Sequence, residues 1–283
     1  MWKDRRTSNV EIFEDTEKKC CTNGLLKAAI QNSLSNQKIY KEQEKVREIT
    51  GQSYVTTEVK VSGKRSLEAA EEYKGKKVCV HNFASATNPG GGVTRGSSAQ
   101  EECLCRCSTL YFNLNTSSCW NDFYKPHRAL NNPVYNDDCI YTPEVVVFKS
   151  DAAVPELLPE KEWYKVDVIT AAAPNLRERP SNAMNPAAGN KKAVVSRKEL
   201  LELHLKRGRR ILDIARENGN EVVILGAFGC GAFQNPPEVV AECYKQLMKE
   251  YAGVFETVEF AVYCSERDRT NYEVFQNVLQ KID

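Results

Sequence analysis

Residues 221–238 read EVVILGAFGCGAFQNPPE and contain, in order, the parts of one unit of an α/β fold. The stretch begins with aliphatic residues, mostly β-branched, which favour a strand buried on both faces. A glycine-rich turn follows at residues 226–233. Asn235, two prolines and Glu238 then predict a helix start, with a capping side chain, a proline at the first helical position and an acidic first turn.

The same alternation of strands and helices extends over most of the chain. Short apolar runs predict strands at residues 57–61, 77–83, 144–149, 167–172, 221–227 and 257–263. Helical patterns lie between them at residues 65–74, 98–112, 196–218, 237–251 and 267–281. Because the runs are apolar on both faces, we expect a buried, largely parallel sheet in an α/β domain with three layers, α/β/α.

Other local patterns predict helix starts, loops and a lead-in. Ser196 and Glu199 have the spacing of a capping box, as do Ser98 and Glu101. Residues 113–142 and 173–195, rich in Asn, Pro, Ser and Ala, are predicted to be long loops, which are usually functional or disordered. Residues up to about 50 show helical spacing with a break at Asn23, which predicts a small helical lead-in.

Composition excludes several classes of protein. A chain of 283 residues with 39 basic and 38 acidic side chains can bury a large core but has no net charge to attract nucleic acid or a membrane surface. Its apolar runs are shorter than the ~20 residues that a membrane span needs. Its first residues lack the apolar core of a signal peptide, so the sequence predicts a cytoplasmic protein that binds no membrane.

The eleven cysteines are predicted to be reduced and not to bind metal. An odd number of cysteines without an export signal argues for free thiols. Cys103, Cys105 and Cys107 form a C-x-C-x-C run, but the chain has three histidines and no C-x-x-C pair. Structural zinc sites usually carry such paired ligands. We therefore expect no structural disulfide and no tightly bound zinc.

Two glycine-rich loops follow predicted strands, at residues 88–93 and 226–233. In α/β sheets, ligands bind at the carboxyl ends of the strands. Glycines at 229 and 231 would let backbone amides surround an anion next to the helix dipole. The alternative is that they only form a tight turn. Two roles also stay possible for Phe228 and Phe233, because either side chain could stack on a ligand or belong to the core.

The residues that follow the first loop carry more chemistry. Gln100, Glu101 and Glu102 follow Gly92 after seven intervening residues, at the predicted start of a helix. A structural role as a capping residue is available to Glu101 but not to Glu102. A helix N-terminus favours an ionised carboxylate, so an acid catalyst there needs burial or a neighbouring like charge to keep its proton. Paired carboxylates with distinct roles are what glycosidic hydrolysis requires.

These residues resemble a known signature. The run NFASATNPGGG at residues 82–92, then seven residues, then QEE resembles the signature of poly(ADP-ribose) glycohydrolases, and in particular their smaller microbial type. The loop at residues 226–233 resembles the diphosphate-binding loop of that family. The resemblance implies a macrodomain-like mixed sheet at residues 51–283 with a helical N-terminal extension at residues 1–50.

The resemblance also implies site roles and an activity without a cofactor. Glu102 would be the catalytic acid that protonates the leaving 2′ oxygen of a ribose–ribose bond, and Glu101 would hold ribose hydroxyls. Substrate-binding roles fall on both loops and on the residues next to them: Asn82, Gly90, Gly91, Gly92, Val93, Gln100, Gly229, Cys230, Gly231, Ala232 and Phe233. The implied partners are poly(ADP-ribose) or an ADP-ribosylated protein, with ADP-ribose as product; we expect a monomer that does not bind DNA.

Three other functions stay open at this point. A module that binds ADP-ribose without cleaving it would carry the same glycine loops, although it has little use for two carboxylates beside an anionic ligand. A hydrolase that removes single ADP-ribose groups is compatible with the carboxylate pair. A nucleotide-binding oxidoreductase is disfavoured because no complete G-x-G-x-x-G fingerprint follows the first strand.

Overall fold

A computed structural model describes residues 4–49, 51 and 53–280. Its seven strands are β1 (Lys38–Tyr40), β2 (Glu58–Ser62), β3 (Val78–Phe83), β4 (Cys139–Val147), β5 (Tyr164–Ala171), β6 (Val222–Leu225) and β7 (Thr257–Ala261). Its helices are α1 (Arg5–Thr22), α2 (Gly24–Asn36), α3 (Ser66–Glu71), α4 (Gln100–Cys107), α5 (Leu110–Leu114), α6 (Ser117–Cys119), α7 (Lys125–Leu130), α8 (Arg197–Glu217), α9 (Pro237–Glu250) and α10 (Thr270–Leu279).

The strands form one mixed sheet in the order β1-β4-β5-β3-β6-β7-β2. The five strands from β5 to β2 in this order run parallel to one another. Only β4 runs antiparallel to its neighbours β1 and β5. Because the carboxyl ends of five strands meet at one edge, the loops that follow them can form a common site there.

Alternate strand residues pack on opposite faces of the sheet, as the period of a strand requires. On one face, Val223 and Leu225 join a core that α8, α9 and α10 cover. On the other face, Val222 and Ile224 join a second core with side chains from α1, α3, α4 and α5. The predicted α/β fold with three layers, α/β/α, is therefore confirmed, and so is the macrodomain-like mixed sheet.

The first part of the chain contributes more than helices. The break predicted at Asn23 is confirmed, because its side chain caps α2 by accepting hydrogen bonds from the amides of Leu25 and Leu26. After α2, however, β1 adds an edge strand to the sheet, and the sequence did not predict it. The boundary at residue 50 stays a prediction. Residues 1–3 and 50, and residue 281 of the predicted last helix, lie outside the described residues.

The predicted single helix over residues 98–112 is wrong, because the chain turns at Ser108 and Thr109. Ser108 adopts an extended backbone, and Thr109 bonds to Val146 of β4, donating through its amide (3.0 Å) and accepting at its hydroxyl oxygen (3.1 Å). These bonds to a strand replace the helical ones and divide the segment into α4 and α5.

The loop predicted at residues 113–142 is also wrong. It contains the end of α5, helices α6 and α7, and the first residues of β4. The first part of β4 was not predicted, because Pro143 interrupts the sequence pattern of a strand. The sheet accommodates the proline at a register shift between Thr142 and Val145. By contrast, residues 173–195 contain no helix or strand, as predicted.

Candidate active site

The two glycine-rich loops lie next to each other because β3 and β6 are paired in the sheet. The loop that follows β3 leads to α4, which carries the two carboxylates, and the loop that follows β6 leads to α9. Both loops therefore reach the same edge of the sheet, as the sequence predicted.

Two adjoining cavities open at this edge. The larger, of about 710 Å³, contains Gly91, Gly92, Glu101 and Glu102. The smaller, of about 310 Å³, is lined by Gln100, Gly229 and Gly231 among others. Five residues line both cavities: Phe83, Ser98, Ala99, Ala232 and Phe233. The two cavities are thus parts of one cleft, with the carboxylates at one end.

Glu101 is held at the base of the larger cavity and is 3% exposed. Its carboxylate accepts hydrogen bonds from the amide of Ser85 (2.8 Å) and from the side chain of Asn82 (3.3 Å). The predicted capping box of Ser98 with Glu101 is wrong, because α4 begins after Ala99 without a side-chain cap. Burial, and next the charge of Glu102, raise the pKa of Glu101 well above its usual value.

Glu102 is 6% exposed, and its two carboxyl oxygens have different surroundings. Its Oε1 accepts a hydrogen bond of 2.8 Å from the amide of Gly92. Its Oε2 is buried and has no hydrogen-bond partner among the described residues. Burial raises the pKa of Glu102, against the opposing effect of the Gly92 amide. One oxygen is therefore anchored, and the other is free to carry a proton.

Gly91 explains why the first loop is rich in glycine. Its φ of 57° lies in the left-handed region, and a Cβ atom there would lie 2.6 Å from Glu102 Oε1 and 3.1 Å from Glu101 Oε2. Any side chain at this position would displace the carboxylates. The glycine thus provides the space that both acids occupy.

Gln100 fastens the start of α4 to the end of β3. Its side-chain oxygen accepts a hydrogen bond from the amide of Phe83 (2.9 Å), and its Nε2 donates to the carbonyl of His81 (2.8 Å). Asn82 lies between these residues, fully buried, and also donates to Thr170 on the neighbouring strand β5 (3.2 Å). Both amide side chains therefore fix the helix that carries the carboxylates.

In the second loop the two predicted glycines differ. Gly229 has a φ of 78°, and a Cβ atom there would lie 2.5 Å from Cβ of Ala173. At Gly231 a Cβ atom would meet nothing within 4 Å, and this residue lines the smaller cavity. The Cβ position of Gly231 is therefore open, whereas that of Gly229 is filled by protein, although the backbone of both residues lines the smaller cavity.

The predicted capping role of Asn235 is wrong, since α9 begins at Pro237 and no side chain caps it. Asn235 is buried and donates to the carbonyls of Pro174 (2.7 Å) and Gly229 (3.1 Å). Its Oδ1 lies 2.9 Å from His204 Nε2. Through these bonds the side chain of Asn235 holds the second loop against the loop that follows β5.

The two phenylalanines of the second loop have separate roles. Phe228 is 1% exposed and packs edge-on against His81, with ring centroids 4.4 Å apart. Phe233 is half-buried and lines both cavities. Phe228 thus packs in the core at the wall of the smaller cavity, whereas Phe233 is the more exposed of the two and is better placed to contact a ligand.

Four of the predicted binding residues line neither cavity. Three of them are buried behind the residues that line the cleft, namely Asn82, Gly90 and Val93. The fourth, Cys230, is half-buried in the second loop. Conversely, the cleft includes residues that the sequence did not single out: Arg65, Ser85, Asp151, Asn185, Tyr263 and Asn271. Among these, two had a signal in the sequence: Ser85 lies in the signature run at residues 82–92, and Asn185 lies in a long loop predicted to be functional.

All eleven cysteines are unpaired. Of the C-x-C-x-C run, Cys105 and Cys107 are buried, and only Cys103 lines the smaller cavity. Within the described ranges, no group of three or more His, Cys, Asp or Glu side chains is placed to hold a metal ion. No helix in those ranges is long and apolar enough to cross a membrane.

Comparison with known proteins identifies the family. A family model described as "Microbial-type PARG, catalytic domain" matches residues 9–150. Poly(ADP-ribose) glycohydrolase (PARG) from Thermomonospora curvata is 29% identical, with a TM-score of 0.81 over 96% of this chain and 100% of that one. The same enzyme bound to the inhibitor ADP-HPD is 30% identical, with a TM-score of 0.78 over 96% and 99%.

A second relative comes from Deinococcus radiodurans. Its poly(ADP-ribose) glycohydrolase in complex with ADP-ribose is 30% identical, with a TM-score of 0.73 over 89% of this chain and 97% of that one. No curated protein sequence matches the chain. The resemblance found in the GGG-x7-QEE signature is confirmed: the chain belongs to the microbial-type poly(ADP-ribose) glycohydrolase family.

Proposed function

We propose that this chain hydrolyses the ribose–ribose O-glycosidic bonds of poly(ADP-ribose) and releases ADP-ribose. The observation that carries this function is the buried Glu102, which lines the larger cavity together with Glu101 and whose Oε2 has no hydrogen-bond partner among the described residues. Family membership supports the same activity, as do the relatives that bind ADP-ribose and ADP-HPD.

The two cavities suggest how one ADP-ribose unit is held. The adenosine would occupy the smaller cavity, and the diphosphate would lie against the second loop, at Gly229, Gly231 and Ala232. The backbone at Gly231 is accessible there, and amides of such a loop suit an anion. The distal ribose would then lie over Gly91 and Gly92, next to both carboxylates.

Glu102 would act first as an acid and then as a base. Its raised pKa favours the protonated form, from which Oε2 can donate a proton to the leaving 2′ oxygen. As the bond between C1″ and that oxygen breaks, positive charge develops on the ribose. The ionised Glu102 then takes a proton from the water that adds to C1″, which restores the starting state.

Glu101 and the amide side chains would position the substrate and the acid. Glu101 is fixed by Ser85 and Asn82, so its carboxylate can accept bonds from ribose hydroxyls at a defined place. Asn82 and Gln100 act through the carboxylates and α4 instead of through the reacting atoms. The division at residue 50, the cytoplasmic location, the monomeric state and the lack of DNA binding stay predictions from the sequence.

Incubation of the purified protein with labelled poly(ADP-ribose), and separately with mono(ADP-ribosyl)ated protein, tests this function. We expect free ADP-ribose as the main product from the polymer. Release from the mono-modified protein alone would instead make the chain a mono-ADP-ribosyl hydrolase. Tight ADP-ribose binding without cleavage of either substrate would make it a binding module.

A further inference from the structure

Three arginines lie at the larger cavity, and two of them come from the start of α1. Arg5, Arg6 and Arg177 line this cavity together with the catalytic carboxylates, and Asp4 is the acidic residue at the same end of α1. The guanidinium groups of Arg5 and Arg6 make no ion pair or hydrogen bond with any residue in the described part of the chain. Both side chains are exposed. Since the whole protein has a net charge of only +1, this concentration of unpaired positive charge is local.

The start of α1 is held next to the carboxylates by close contacts. The side chain of Asn9 donates to the carbonyl of Gly96 (3.0 Å), in the turn that leads to α4. At Gly96 a Cβ atom would lie 2.2 Å from the carbonyl oxygen of Arg6, so only a glycine lets the helix approach so closely. The backbone that carries Arg5 and Arg6 is therefore held next to the turn that leads to α4, and the amino end of α1 adds its own positive dipole.

The larger cavity has more space than one ribose ring needs. Its volume of about 710 Å³ is in the range that holds a whole drug-sized ligand. If the terminal ADP-ribose unit extends from the smaller cavity to Glu102, the leaving group must occupy the remaining space. In the polymer this leaving group is the adenosine of the next unit, which carries a diphosphate.

We propose that Arg5 and Arg6 bind the diphosphate of the ADP-ribose unit on the leaving side of the scissile bond. Arginine suits this role because its planar guanidinium forms paired hydrogen bonds to phosphate oxygens. The inference rests on the proposed function and extends it: the enzyme recognises two consecutive units, and the N-terminal helix supplies the contact to the second.

Two defined substrates test this contact. Both carry the same terminal ADP-ribose unit, linked in one to the 2′ oxygen of a second ADP-ribose and in the other to the 2′ oxygen of plain adenosine. We expect the parent protein at low ionic strength to have a kcat/KM at least about tenfold higher for the substrate with the diphosphate, which corresponds to ~1.4 kcal/mol. Added salt should reduce this ratio, because it screens exposed charges.

In the double variant Arg5→Gln/Arg6→Gln the ratio should fall towards one. Glutamine keeps Cβ and Cγ of each side chain, including Arg6 Cγ, which lies 2.7 Å from where a Cβ atom on Gly96 would be. Arg47→Gln is the matched control, because Arg47 is exposed and its amide bonds to Glu217 at the far end of α8. This control should keep the parental ratio and salt dependence.

Two results would overturn the inference while the proposed function stands: a parental ratio near one at low salt, or a folded double variant that keeps the parental ratio. Salt dependence in the parent protein supplies a measurement that needs no variant. Cleavage of neither substrate by the parent would refute the proposed function and this inference with it.

Discussion

The two glycine-rich loops occupy equivalent places after paired parallel strands, yet their glycines serve opposite purposes. In the first loop, the space beside Gly91 is filled by the carboxylates of Glu101 and Glu102. In the second loop, the space beside Gly231 is empty and opens into the smaller cavity. The first loop makes room for the protein's own reacting groups, and the second makes room for a ligand.

This difference separates chemistry from binding along one cleft. Changes in the first loop should lower turnover, because they move acids that a few hydrogen bonds hold in place. Changes at the open position of the second loop should lower affinity without moving the acids.

The largest of these effects is expected for Gly91→Ala. Its methyl group would lie 2.6 Å from Glu102 Oε1, so the carboxylate must move away from the amide of Gly92. We expect kcat to fall at least ~10²-fold, the lower range of what general acid catalysis contributes.

Gly219→Ala provides the control for backbone strain. Gly219 has a φ of 68° and no atom within 4 Å of its Cβ position, so it has the same left-handed backbone without the collision. Both variants should lose Tm through the left-handed backbone, Gly91→Ala somewhat more because of the collision, and only Gly91→Ala should lose activity. Equal turnover in the two would show that the first loop does not position the acid.

A smaller effect is expected for Gly231→Val, which should weaken ADP-ribose binding at least about tenfold without lowering Tm. Gly231 lines the smaller cavity, and a Cβ atom there meets no protein atom within 4 Å. Calorimetric titration with ADP-ribose measures the change.

Gly229→Val should behave differently, because its Cβ position lies 2.5 Å from Ala173 Cβ. We therefore expect it to destabilise the fold, so that a loss of binding there does not report on the ligand alone. If Gly231→Val binds ADP-ribose as tightly as the parent, the second loop is only a turn.

The smallest effect concerns stability and pH. Burial raises the pKa of Glu102 in the folded protein above its usual value of 4.5. A raised folded pKa contributes stability that is complete below the unfolded pKa and is lost as the pH rises through the folded pKa. The Tm of the parent should therefore fall more than that of Glu102→Gln as the pH increases from 5 to 8. Parallel Tm curves would show that Glu102 has no raised pKa.

The sequence predicted most elements of the sheet because apolar runs report burial directly. It missed β1, a strand of three residues at the sheet edge, because so short a segment has no pattern of its own. The division of the helical pattern after α4 was not predicted, because it depends on hydrogen bonds between Thr109 and a strand that is distant in sequence.

Two identical sequence patterns lead to different structures, because residues distant in the chain contact only one of them. Ser196 and Glu199 form the predicted capping box, because Glu199 is exposed and nothing else competes for its carboxylate. Ser98 and Glu101 have the same spacing, but the tertiary fold brings Ser85 and Asn82 to Glu101, which then holds a site instead of a helix start.

The placement of the site was predictable only in part. The signature indicated both carboxylates and both loops, which the structure brings to one cleft. It gave no sign of the residues that reach the cleft from elsewhere in the chain, such as Asp151 and Tyr263 in the smaller cavity. Contacts between segments distant in sequence leave no local pattern.

The central claim is that the free oxygen of Glu102 gives and takes the proton. Glu102→Gln keeps the size of the side chain and an oxygen that can accept from Gly92, but it removes the transferable proton. Polymer cleavage and ADP-ribose affinity should be measured together on this variant and the parent. We predict a loss of ~10²–10⁴-fold in cleavage rate with nearly unchanged affinity. Release of ADP-ribose at the parental rate would contradict the account.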